Sequence, residues 1–209
     1  MKHLTLATVV ALFSAASAAA QGVNPEHVSI GAAAGIANPL HGDFDFTAPA
    51  WQVDVRLNTG RFVASTIFFE EWRRSDEEVR TDVPILGPTG PIGRIDRLVS
   101  QTTHQTRVAG WSLLAKTNGR VAVNGGGGVS YLLYSRESGS TREGCLPAAL
   151  CGTTRSDFDN SAFAAQLQAG LDVRVLSRLS LMGHYRLIVP IEDPGGGHAT
   201  VVAGARVVF

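Results

Sequence analysis

The spacing of turns constrains this chain most. Eight strand-like segments are joined alternately by very short and by long connections. The short ones are Asn58-Thr59-Gly60-Arg61, Thr117-Asn118-Gly119-Arg120 and Leu176-Ser177-Arg178; the long ones fall near 38–48, 73–103, 136–160 and 188–198. An even strand number, with tight turns at one end and long loops at the other, is the pattern of a β-barrel that crosses a membrane. Each segment runs about 9–14 residues, and a tilted membrane strand needs about 9–11.

Strand side chains alternate between two faces, and the alternation here separates apolar from polar. In 163–175, Phe163, Ala165, Leu167, Ala169, Leu171, Val173 and Val175 share one face, while Gln166, Gln168, Asp172 and Arg174 share the other. In 178–187, Leu179, Leu181, Tyr185 and Leu187 oppose Ser180, Met182, His184 and Arg186. In 200–209, Val201, Ala203, Ala205, Val207 and Phe209 oppose Val202, Gly204, Arg206 and Val208. Trp51, Val53, Val55 and Leu57 oppose Gln52, Asp54 and Arg56; Val28, Ile30, Ala32, Ala34 and Ile36 oppose Ser29, Gly31, Ala33 and Gly35. Three segments are less regular. In 61–72 the apolar residues fall on both faces, and Glu70 and Glu71 cannot both point inward. In 103–116, Arg107 shares a side with Trp111. In 120–135, the run Asn124-Gly125-Gly126-Gly127-Gly128 gives little contrast. Glycine weakens a strand but permits the tight bending a small barrel needs.

Energetics selects the outward face. An arginine turned toward lipid near the bilayer midplane costs about 2–4 kcal/mol. Reversing the register would expose Asp172, Arg174, Arg186 and Arg206 together and exceed the roughly 5–15 kcal/mol of a typical fold. The charged face therefore points into the ring if the ring sits in a membrane.

Export is written at the start of the chain. Lys2 and His3 precede an apolar stretch, Leu4–Phe13, and Ala18-Ala19-Ala20 fits the small-x-small cleavage rule. A signal peptide is expected over 1–20, with cleavage near Ala20-Gln21, leaving a barrel over 24–209. No later run of eighteen apolar residues proposes a transmembrane helix. Mean hydropathy is only +0.10, as befits strands with one polar face. Charge is balanced, so nothing points to nucleic acid. Cys145 and Cys151, the only cysteines, fall in the third long loop of an exported chain, where a disulfide is expected. It would close a loop of about seven residues, worth roughly 2.4 kcal/mol on a chain-entropy basis. The stretch 73–103, with Arg73-Arg74-Ser75-Asp76-Glu77-Glu78 and then Pro84, Pro88 and Pro91, reads as a solvated, partly ordered loop.

With its signal peptide, eight segments, Gly-rich fifth strand (Val123–Val129), Gly183-His184-Tyr185-Arg186-Leu187 and closing strand Val201–Phe209, the chain resembles the small outer-membrane β-barrel superfamily, the OmpA-like and opacity-type proteins. The resemblance implies an all-β, closed, antiparallel, eight-stranded up-and-down transmembrane barrel with both termini in the periplasm. It also implies that Phe209 serves as the strand-end signal read by the barrel-insertion machinery. Expected partners are outer-membrane lipid and lipopolysaccharide, that machinery during assembly, and an extracellular partner at the loops. The resemblance names no single activity.

For function, the residues point first to a non-enzymatic surface protein with a filled lumen. Asp54, Glu70 and Asp172 would face Arg56, Arg107, Arg174, Arg186 and Arg206, since buried charges persist when paired. Eight strands leave no open aqueous channel. One alternative is a lipid A-modifying hydrolase using Ser180, His184 and Asp172 as nucleophile, base and orienting group; no hydrolase motif surrounds them. Another is a soluble, lipocalin-like barrel with its apolar face inward. His27, His41, His104, His184 and His198 lack metal-ligand spacing, and no cofactor motif is present.

Overall fold

The computed structural model describes residues 28–40, 47–88, 90–146, 148–192 and 197–209, without the side chains of Gly87 and Pro91. The expected signal peptide, His27 and His41 lie outside these residues. Eight strands follow one another: β1 Val28–Pro39, β2 Ala48–Leu57, β3 Val63–Gly87, β4 Gly90–Lys116, β5 Val121–Leu146, β6 Gly152–Arg174, β7 Leu179–Pro190 and β8 His198–Val208. Each pairs with its neighbour in sequence, and β1 pairs antiparallel with β8 from Ser29↔Val208 to Pro39↔His198, which closes the barrel. A last backbone bond, Phe209 N to Val28 O at 2.9 Å, seals the seam. This is the all-β, up-and-down ring anticipated from the turns.

The strands contribute to two compact units. The first holds the described residues up to Glu71, Val108–Leu132 and Ala162–Phe209; the second holds Trp72–Arg107 and Leu133–Ser161.

In the first unit the burial pattern is the reverse of a water-soluble protein. Ile30, Trp51, Leu113, Val129, Leu167, Leu181, Tyr185 and Val201 are exposed, whereas Ser29, Gln52, Asp54, Arg56, Glu70, Gln168, Arg186, Thr200 and Arg206 are buried. The strand period of two produces this directly, because each exposed residue sits one position from a buried one. The irregular segments resolve in the same way. On β3, Ala64, Thr66, Phe68 and Glu70 are buried while Val63, Ser65, Ile67, Phe69 and Glu71 are less so. A phenylalanine inside and a serine outside had blurred the pattern. The outward Ser65 is covered by a bond from Trp111 Nε1 at 2.7 Å. On β5 the glycines let strands approach: a Cβ on Gly128 would lie 1.9 Å from the Trp111 carbonyl oxygen. Aromatics pair on the outer wall, Trp51 with Phe69 at 5.4 Å and Tyr131 with Phe163 at 5.2 Å between centroids.

The second unit corrects the expectation of loops at 73–103 and 136–160. Both stretches are mostly strand. Their polarity hid them, because the cross-strand partners are hydroxyls and ions in place of apolar pairs. Ser75 meets Thr103 at 2.9 Å, Ser140 meets Thr154 at 2.8 Å and Thr141 meets Thr153 at 3.3 Å. Arg94 pairs with Asp96 and Asp82, Arg97 with Glu143, and Arg155 with Glu137 and Asp157. Asp82 adopts a positive φ of 53°, the one non-glycine among the described residues to do so. The Cys145–Cys151 disulfide is formed and closes the end of β5 around the short 3-10 turn Ala148–Leu150.

Candidate functional site

The interior of the first unit is a network of side chains in two layers. Registry builds the first. Gly31 lies between Asp54 on β2 and Arg206 on β8, and having no side chain it leaves the space through which they meet. A Cβ there would sit 2.8 Å from Asp54 Oδ2. Arg206 Nη2 donates to both Asp54 oxygens at 2.9 and 3.1 Å, and its Nη1 donates to Asp172. Asp172 also accepts from Arg56 Nη1 and from Asn124 Nδ2 at 2.8 Å.

The second layer centres on Arg186, which is 0% exposed. Its strand neighbours are Gln168 on β6 and Thr200 on β8. Nη1 donates to Glu70 Oε2 at 2.7 Å and to Gln52 Oε1 at 2.9 Å, and Nη2 donates to Gln168 Oε1 at 2.9 Å. The guanidinium carbon stands 3.5 Å from the Phe68 ring centroid, a cation–π contact shielded from water. Glu70 accepts from Thr200 Oγ1 at 2.6 Å and lies 3.4 Å from His198 Nε2. Gln52 joins the layers, since its Nε2 donates to Asp54 at 3.1 Å.

Six of the eight expected lumen residues therefore meet: Asp54, Arg56, Asp172 and Arg206 in one layer, Glu70 and Arg186 in the other. Three carboxylates face three guanidiniums, so the network carries no net charge. Two residues do not join. Arg174 is exposed at the end of β6. Arg107 alternates with buried His104, Thr106 and Val108 and so takes the outward register, the side it shares with Trp111. That shared parity was the signal against it. Patterning did not single out Gln52, Phe68, Gln168, His198 or Thr200, because neutral residues give no charge signal. Their parity with the charged residues on each strand would have found most of them.

Neither alternative chemistry is assembled. His184 Nε2 bonds to Gln52 Oε1 at 2.7 Å, and Asp172 is held by two arginines and an asparagine, so the carboxylate does not orient the imidazole as a triad requires. A lipocalin-like barrel needs its apolar face inward; here that face points out. Among the described residues no cluster of His, Cys, Asp or Glu is arranged to hold a metal.

The second unit carries an aromatic group of its own. His104 Nδ1 lies 2.8 Å from the Tyr134 hydroxyl, and the Tyr134 ring stands edge-on to Phe158 at 6.4 Å. Burial first, and then the charge of Arg136, hold the His104 pKa below the ordinary imidazole value; Asp76 opposes this and Arg74 adds to it. An unfolded segment then binds more protons than the folded one as pH drops, so acid destabilises this contact. Hydrogen exchange across 102–106 is expected to speed up as pH falls from 7.5 toward 5, after correction for intrinsic exchange. A His104→Gln variant should flatten that dependence.

No protein-family model matches this sequence, and no curated protein sequence matches it. Solved structures do. Over 88% of its length the chain superposes on a major outer membrane protein from Thermus thermophilus, with a TM-score of 0.53, 15% identity and 98% of that chain covered. Over 88% it also superposes on Ail, the attachment invasion locus protein of Yersinia pestis, in complex with the heparin analogue sucrose octasulfate, with a TM-score of 0.52, 13% identity and 97% of that chain covered. At such identities the likeness is one of fold. The chain has the fold of the small, eight-stranded outer-membrane β-barrels.

Proposed function

We propose that the protein is an integral outer-membrane barrel that serves as a scaffold for surface contacts, neither an enzyme nor an open porin. One observation carries this reading: an apolar outer wall surrounds a lumen of mutually neutralised ions. Such a wall has its lowest free energy against acyl chains, and eight strands leave an interior that side chains fill. On this reading residues 1–20 direct export and are removed, both chain termini of the mature barrel lie in the periplasm, and Phe209 marks the chain for the insertion machinery. The β3–β4 and β5–β6 hairpins then face the exterior, beside lipopolysaccharide and external partners, where a disulfide between Cys145 and Cys151 suits the oxidising surroundings.

Two measurements test it together. Unheated protein in detergent should migrate differently from boiled protein, and in planar bilayers it should give no large, steady conductance. A sustained open-channel current would overturn the filled lumen. Recovery from the soluble periplasmic fraction would overturn the membrane assignment.

A further inference from the structure

Charge is balanced in the lumen but not at the end of the first unit that carries the short turns. Arg61 precedes β3, Lys116 closes β4, Arg120 precedes β5, Arg174 closes β6 and Arg178 precedes β7. Five successive strands therefore end in a cation at the same rim. No aspartate or glutamate lies in 57–63, 116–121 or 174–179 to offset them. Neighbouring strands stand about 4.8 Å apart, so the five charges form an arc along the rim. Backbone bonds hold the arc together: Lys116 N donates to Phe62 O at 2.9 Å, and Arg174 N donates to Arg120 O at 2.7 Å. Lys116 Nζ donates to Asn58 Oδ1 at 2.7 Å, which ties β4 to the first turn. Arg61, Arg120, Arg174 and Arg178 are exposed. Like charges gathered on one rim repel one another, and a bound anion relieves that repulsion.

We propose that this arc binds the phosphate headgroups of anionic phospholipid in the periplasmic leaflet. The apolar wall begins directly beside the cations: Phe62 follows Arg61, Val121 follows Arg120, and Val175 and Leu176 follow Arg174, all of them exposed. The guanidinium carbon of Arg61 stands 5.2 Å from the Phe62 ring centroid. Cations in this position meet headgroups where the acyl chains end, and each arginine offers a forked pair of donors to phosphate. Lys116 and Arg174 are the last residues of their strands, and Arg120 and Arg178 lie in turns. Their long side chains can therefore reach along the headgroup layer. A free phosphate ion or an acidic peptide fits less well. Either would be held by exposed cations alone, which salt screens, whereas the tails of a lipid already rest on the wall. The proposal rests on the reading of the protein as a membrane barrel with periplasmic termini.

The test uses the full chain refolded into vesicles of phosphatidylcholine with a minor fraction of phosphatidylglycerol. Flotation shows insertion, and the shift of the unheated band shows folding of every variant. Trace spin-labelled phosphatidylglycerol or phosphatidylcholine reports, by electron paramagnetic resonance, how much of each lipid is immobilised at the protein. The anionic lipid should be favoured by about threefold or more at low salt, and the preference should shrink as salt rises. The triple variant Arg120→Gln/Arg174→Gln/Arg178→Gln should lose the preference, and the matching triple exchange to lysine should keep it. Arg80→Gln/Arg94→Gln/Arg155→Gln removes the same charge from the second unit and should leave the preference unchanged. Equal immobilisation of the two lipids by the inserted wild type, an unchanged preference in the rim glutamine variant, or loss of it in the second-unit variant would each overturn the proposal. Displacement of the immobilised phosphatidylglycerol by inorganic phosphate or polyglutamate at matched ionic strength would do the same, by assigning the cations to a soluble anion. Wild-type protein that folds but does not float with the vesicles would overturn the membrane reading itself, a result distinct from insertion without lipid preference.

Discussion

Glu70→Ala is expected to destabilise the folded barrel by about 3–5 kcal/mol, the usual cost of leaving a buried charge without its partner. Both side chains of the Glu70–Arg186 pair are 0% exposed. Removing the carboxylate strands the guanidinium between Gln52, Gln168 and the Phe68 ring, and deprives Thr200 of its acceptor. Glutamines supply dipoles but no counter-charge. Glu70→Gln should cost less than Glu70→Ala, since it keeps an acceptor near Thr200. Pairing Glu70→Ala with Arg186→Met should recover part of the loss, because no orphaned charge remains. Urea unfolding in lipid vesicles, followed by the gel shift between folded and unfolded bands, measures all three variants against the wild type. A loss under about 1 kcal/mol for Glu70→Ala would mean that water reaches Arg186 and that the lumen is wet.

Leu167→Arg is expected to cost about 2–4 kcal/mol in the same assay, the penalty for an arginine on the lipid face near the middle of a barrel wall. Leu167 is 62% exposed and stands beside Leu187 on β7, within the ring. The magnitude is what matters. On a water-facing wall, exchanging an exposed leucine for arginine is close to neutral, within about 0.5 kcal/mol. Leu86→Arg, at the end of β3 and exposed, serves as the internal control and should be neutral. Equal, small effects at both positions would place Leu167 in water.

These two residues also mark what the amino-acid order made legible. Leu167 and Arg186 lie on strands where apolar and polar residues alternate without a break, and there the inward and outward faces were readable at once. The signal failed where side chains serve the opposite solvent. Phe68 points inward because it supplies the π face that covers Arg186, and no single-strand pattern reveals that requirement. Charge alone points Arg107 to the lumen, whereas its parity with Trp111 points it outward; parity outranks residue type on a strand. The hairpins of the second unit look like loops in the amino-acid order because hydroxyl ladders and ion pairs stabilise strands without leaving an apolar period. Gln52 is the most instructive omission. A neutral amide that accepts from Arg186 and donates to Asp54 is visible only once β2 and β7 stand across from one another.

The native tryptophans offer the most direct test of which solvent each face meets. Trp51 and Trp111 are 44% and 45% exposed on the outer wall, while Trp72 is 5% exposed. Variants retaining one tryptophan each, refolded into vesicles of acyl-chain-brominated phospholipid, report contact with lipid tails through fluorescence quenching. Strong quenching of Trp51 and Trp111 by bromine, with little by aqueous iodide, is the result predicted. Quenching of those two by iodide and not by bromine would contradict it, for the apolar wall would then face water.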